Sequence, residues 1–166
     1  MPAPIGFAIA GLLATLVVAS FPPTAAPVHG IRCDQMESTN FHIHAHLAVF
    51  DHGKPVGVPS DVGRPILAGC LYWLHTHTSD GIIHVESPVV RSFTLGDFFA
   101  IWGEPLTKTQ VASAKVRPGE QLAVWVNGAR VAGDPRAIPL AQHTEITIDA
   151  GPPIRKPEPF TGWGNL

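Results

Sequence analysis

The sequence predicts a mainly β domain, a β-sandwich or barrel-like antiparallel sheet with one short helix near residues 94–103, behind an N-terminal signal or anchor helix. Three observations predict the β fold. Apolar and polar residues alternate in Phe41–Phe50 (FHIHAHLAVF) and Thr144–Asp149 (TEITID), the period of a half-buried strand. The 17 prolines and 16 glycines among 166 residues interrupt the chain too often for long helices and supply turns instead. Asn127-Gly128 stands between two apolar runs, the dipeptide that a two-residue type I′ hairpin favours.

In chain order, Ile5–Ser20 is uncharged and is followed by Pro22, Pro23, Ala25 and Ala26. That length and those flanks suit a secretory signal. No Lys or Arg precedes the run, and the small-x-small site at Thr24–Ala26 meets Pro27, so an uncleaved anchor is the alternative. Residues 1–26 form this segment, 30–151 a single His-rich β domain and 152–166 an irregular tail. Within the domain, Phe41–Phe50 turns at Asp51–Lys54 into a short strand over Pro55–Pro59. Cys70–His77 (CLYWLHTH) and Ile82–Glu86 (IIHVE) form a second hairpin around Thr78–Gly81. Thr94 caps the helix, Asp97 stands at the capping-box position and Gly103 ends it. Gln121–Val126 and Ala129–Val131 flank the Asn-Gly turn, and Thr144–Asp149 is the last strand.

A net charge of −2, with no run of Lys or Arg, predicts no nucleic-acid partner and membrane attachment only through the N-terminal segment. An exported chain is periplasmic or secreted, where Cys33 and Cys70 pair as a disulfide. Closing that loop stabilises the fold by about 3.8 kcal/mol in the chain-entropy account.

The candidate site comes from strand pleating. Residues two apart share a face, so His42, His44 and His46 project together, opposite a core face of Phe41, Ile43, Ala45, Leu47 and Val49. His75 and His77 likewise share a face. A two-residue turn at Asp80-Gly81 would pair His77 with His84 and His75 with Glu86, whereas a four-residue loop would pair His75 with His84. Either register gathers the same side chains, and only an odd loop or a bulge would scatter them. Cys70 falls on the opposite face from His75 and His77, which favours the disulfide over ligation by sulfur. Asp80 and Glu86 are the nearby carboxylates, and Trp73, Ala48 and Phe50 the expected apolar floor. His29, His52 and His143 are expected to be exposed or capping groups.

Neutral imidazoles bind copper and zinc. The candidate metal ligands are therefore His42, His44, His46, His75, His77 and His84, with Glu86 as a ligand or a catalytic acid/base. Known patterns fail nearby. The cupin motif needs a glutamate within Thr78–Gly81, the metallo-β-lactamase pattern needs Asp at Ser79 and His at Asp80, and the chain is too short for an amidohydrolase barrel. The run Cys70–Pro88 (CLYWLHTHTSDGIIHVESP), with FHIHAHLAVF before it and FTLGDFFAIWG after it, resembles a functionally uncharacterised family of small exported bacterial proteins. The resemblance spans Cys33 to Gly151 on a W-L-H-T-H-x-x-x-G-I-I-H-x-E-x-P core. It implies a shared fold and a site around His75, His77, His84 and Glu86, and no activity.

Three functions are compatible with these residues. The first is an exported protein that binds or handles copper or zinc. The second is a His-ligated metalloenzyme with Glu86 as acid/base. The third is a β-rich binding module whose histidines form a hydrogen-bonded network.

Overall fold

The computed structural model describes residues 25–166, so the expected N-terminal signal or anchor helix lies outside the described residues. Among those described, no helix is long and apolar enough to cross a membrane. The fold is mainly β. The first half contains β1 (Cys33–Asp34), β2 (Phe41–Asp51), β3 (Lys54–Val56), β4 (Leu71–Tyr72), β5 (Leu74–His75), β6 (Ile82–Ser87) and β7 (Phe93–Thr94). Then come α1 (Leu95–Trp102), β8 (Gln110–Val111), β9 (Ala114–Lys115), β10 (Leu122–Val126), β11 (Ala129–Val131), β12 (Pro139–Leu140) and β13 (Thr144–Ala150).

Seven strands form the main sheet in the order β11-β10-β13-β2-β6-β5, with β3 also on β2. The 11-residue β2 organises it. One edge is shared in succession, Phe41–His46 by β6 and Val49–Asp51 by β3. The other edge receives β13 in parallel, from Thr144↔Ala45 to Ala150↔Asp51. The sheet is therefore mixed, where the hairpin signals predicted antiparallel pairing throughout. Hairpin signals report only sequence neighbours; β2 and β13 are joined by a crossover of some ninety residues that local patterning does not register.

The turns follow from backbone chemistry. Asn127 and Gly128 have φ of 50° and 73° between the paired Val126 and Ala129, as a type I′ turn requires. The first hairpin turns at His52-Gly53, and β3 ends at Val56 rather than at the expected Pro59. Gly81 has φ of 85°, and a Cβ there would lie 2.4 Å from the Leu47 carbonyl oxygen, so the loop entering β6 can close onto β2 only with glycine.

α1 has both capping-box bonds between Thr94 and Asp97, and Gly103 (φ 78°) ends it by donating to the Phe99 carbonyl. The helix lays Leu95, Phe98 and Phe99 into a core with Leu47, Leu74, Ile83, Ile146 and Ile148, all essentially inaccessible. On the expected core face of β2, Ala45, Leu47 and Val49 are buried and Phe41 and Ile43 half-buried. Cys33 and Cys70 are disulfide-bonded across a separation of 37 residues, where Cys33 pairs with Tyr72 in the β1–β4 ribbon. That bond fixes the start of β4, three residues ahead of the start of β5.

Candidate metal centre

The register of the sheet builds the site. His42 pairs with Glu86 and His44 with His84 between β2 and β6, while His75 pairs with His84 between β5 and β6. Directly paired residues project to the same side, so three neighbouring strands present imidazoles on one face. The His75↔His84 pairing is the four-residue-loop register. The predicted continuous strand Cys70–His77 is in fact interrupted at Trp73, whose carbonyl accepts from Glu86 N at 2.7 Å.

His84 is the hub. Its ring centroid lies 4.6 Å from His44, 4.4 Å from His77 and 5.6 Å from His75. Nε2 of His42 is 3.0 Å from Nε2 of His44, and Nε2 of His75 is 3.2 Å from Nε2 of His77. Glu86 Oε1 lies 3.2 Å from His42 Nε2, 3.6 Å from His84 Nδ1 and 3.9 Å from His75 Nε2. Glu37, from the loop before β2, brings Oε1 to 3.6 Å from His77 Nε2. Sequence reasoning missed Glu37, because nothing in an irregular loop indicates which strand it will meet.

Hydrogen bonds assign some of the ring nitrogens. His75 Nδ1 donates to the Tyr72 carbonyl at 2.9 Å. A carbonyl only accepts, so the neutral ring keeps its lone pair on Nε2, facing His77 and Glu86. His44 Nδ1 and His84 Nδ1 are buried without a hydrogen-bond partner. Each such atom costs about 1–3 kcal/mol unless something satisfies it; a bound cation would satisfy a lone pair on His84 Nδ1, whereas His44 Nδ1 carries the proton when Nε2 is the ligand atom.

The electrostatics suit a metal as well. Burial is the main reason that His44 and His75 are each held down to about 4; the neighbouring His84 adds to the effect on His44, and on His75 burial outweighs the support of the Tyr72 carbonyl and of Glu86. Burial also lowers His77. Burial alone would raise Glu86, but His84, His75 and His42 outweigh it and hold its carboxyl below the ordinary range. At neutral pH His44, His75 and His77 thus stand unprotonated beside a charged carboxylate, which is the ligand state that metal binding requires.

His46 is the exception among the six candidate ligands. Its Nε2 donates to the Asp80 carbonyl at 3.1 Å, and its ring stacks on Phe160 with centroids 3.7 Å apart. Strand parity put it on the right face, but the C-terminal tail folds back and takes it away from the others. Ala48 and Phe50 were expected as a floor to the site. They line a separate cleft of about 810 Å³ between the sheet and that tail, with His46 at its wall. Trp73 belongs to the core, its Nε1 donating to Asp34 at 2.7 Å. His29 bonds Asp97, His52 bridges Asp51 and Glu120, and His143 meets the Leu166 carbonyl, so all three stand outside the centre.

The remaining side chains resolve into two sets, His42/His44/His84 and Glu37/His75/His77/Glu86. Within each set the ligand atoms lie within 4.8 Å of one another. Comparison with protein-family models, with curated proteins and with solved structures returns no match for this chain.

Proposed function

We propose that this is an extracytoplasmic metal-binding protein that takes up copper or zinc through the histidine face of β2, β6 and β5. The observation that carries the proposal is the convergence of five imidazoles and Glu86 from three strands and the loop after β5, with two pairs of Nε2 atoms 3.0 and 3.2 Å apart. Two nitrogens bound to one tetrahedral ion at about 2.0–2.1 Å stand about 3.3 Å apart, so both pairs already have the bite of a chelate. Copper(II) heads the affinity order for nitrogen ligands and zinc follows. The Cys33–Cys70 disulfide is compatible with an oxidising compartment where either ion is met. The apolar run Ile5–Ser20 is what would take the domain there or anchor it.

The test is metal content. Protein recovered from an oxidising compartment, stripped with chelator and retitrated with Zn(II) or Cu(II), should bind at least one ion. At a hundredfold excess over Kd that binding adds about 2.7 kcal/mol, a rise in Tm of about 5–10 °C for a domain of this size. Less than about 0.3 ion per chain, before and after adding either metal, would refute the reading.

A metalloenzyme reading draws on one further observation, the cleft with His46 at its wall on the same sheet face. In that reading Glu86, which lies among the imidazoles and not in the cleft, would act as acid/base on a substrate brought to the metal. The test is a Glu86→Gln variant: if it keeps its metal and every detectable turnover, Glu86 has no such role.

A further inference from the structure

We infer that the centre is dinuclear, with Glu86 bridging two unequal metal sites. The inference rests on the metal-binding reading and adds a second ion, a bridge and an order of filling.

One ion cannot serve all the ligands. Ligand atoms at about 2.0–2.1 Å from a common ion are at most about 4.2 Å apart, and the six side chains with Glu37 fall into two sets. Each set contains one His-x-His pair whose Nε2 atoms stand at chelating distance, His42 with His44 and His75 with His77. In β2 the pleat explains the pairing, because residues i and i+2 share a face; His77 meets His75 from the loop just past the end of β5. One pair on each side of β6 makes two chelates, with β6 between them supplying His84 and Glu86.

Glu86 belongs to both. Its Oε1 is counted with His75 and His77, at 3.9 Å from His75 Nε2, yet its shortest contact, 3.2 Å, is to His42 Nε2 in the other set. A carboxylate so placed, buried at 4% exposure, is positioned to bridge ions about 3.5–4 Å apart. His84 Nδ1, at 3.6 Å from the same oxygen and without a hydrogen-bond partner, is the second group between the two chelates.

The sites differ in chemistry. His42, His44 and His84 are all imidazole. His75 and His77 have Glu37 in addition to the shared Glu86, while Arg64 is paired with Asp61 at 2.9 Å and stands 3.4 Å from His77 Nδ1. Two divalent ions bring four positive charges against two carboxylates, so the ions repel and the second binds more weakly. The carboxylate-rich site fills first.

The experiment is a Zn(II) titration of the stripped, disulfide-bonded protein by calorimetry, paired with Cu(II) loading followed by electron paramagnetic resonance. The expected isotherm has two steps and ends at two ions per chain. His42→Gln, at a half-exposed position, should remove the weaker step and leave the stronger, while His77→Gln should weaken the stronger one. Two Cu(II) ions bridged by Glu86 should couple, so that the integrated signal falls well below two spins and recovers in Glu86→Gln. A single ion per chain, lost equally in the His42 and His77 variants, overturns the dinuclear inference and leaves metal binding intact. Two ions with a full two-spin signal overturn the bridge. No bound metal at all overturns the functional reading itself.

Discussion

Acid should destabilise the metal-free protein before its carboxylates protonate. His44 and His75 are held from 6.5 down to about 4 by burial, so the folded state resists a proton that the unfolded chain accepts. For a base whose folded value is depressed, stability is fully present above the unfolded value and is lost as pH falls toward the folded one. Each pH unit corresponds to about 1.4 kcal/mol per group. Between pH 6.5 and 4.5 each histidine therefore withdraws on the order of 2 kcal/mol, and the two together on the order of 3–4 kcal/mol once their shared neighbour His84 is allowed for. A domain of this size has only about 5–15 kcal/mol in total. Urea denaturation in the presence of chelator, repeated across that window, measures the loss directly. His44→Gln should flatten the slope by about one proton. A wild-type stability that changes by less than about 1 kcal/mol from pH 6.5 to 4.5 would refute the claim that these rings are buried and neutral.

Three other perturbations have defined outcomes. Cys33→Ser with Cys70→Ser opens the 37-residue loop and should lower stability by about 2–5 kcal/mol, read as a shift in denaturation midpoint; an unchanged midpoint would show that the bond constrains nothing. Gly81→Ala forces a Cβ to 2.4 Å from the Leu47 carbonyl at a positive φ; an expected loss of at least about 1 kcal/mol should come with exchange broadening of the His46 and Leu47 amide signals, and a silent substitution would contradict the close approach. His52 is raised above 6.5 by Asp51 and then Glu120, which gives the opposite sign. Its contribution is full below 6.5 and fades as pH rises through the raised value, so His52→Gln should remove a decline in Tm on the alkaline side of neutrality. Identical Tm profiles for the two proteins would contradict that ion pair.

Much of the site was legible because strand periodicity is a local property. His42 and His44 had to share a face, and His75 and His77 had to share another. Asp97 as a capping group and the Asn127-Gly128 turn were equally local, since a capping box and a type I′ turn are decided within four residues. The Cys33–Cys70 pairing followed from compartment and parity rather than from distance.

His46 marks the limit of that reasoning. Its parity is the same as that of His42 and His44, yet the Asp80 carbonyl and the ring of Phe160 remove it from them. Phe160 lies more than a hundred residues away in the sequence, in a tail with no periodic signal. Glu37 joins the centre for the converse reason: it comes from an irregular loop, placed only when β1 and β4 pair behind it.

The residues alone determined which side chains could face one another, because pleating, capping and turn geometry depend on a few bonds. Tertiary structure decided which faces meet: the parallel docking of β13 on β2, the placing of β6 between two histidine strands, and the return of the tail over His46. Those choices arise from burying apolar surface among segments far apart in the chain, an energy that belongs to the assembled core and to no single stretch of it.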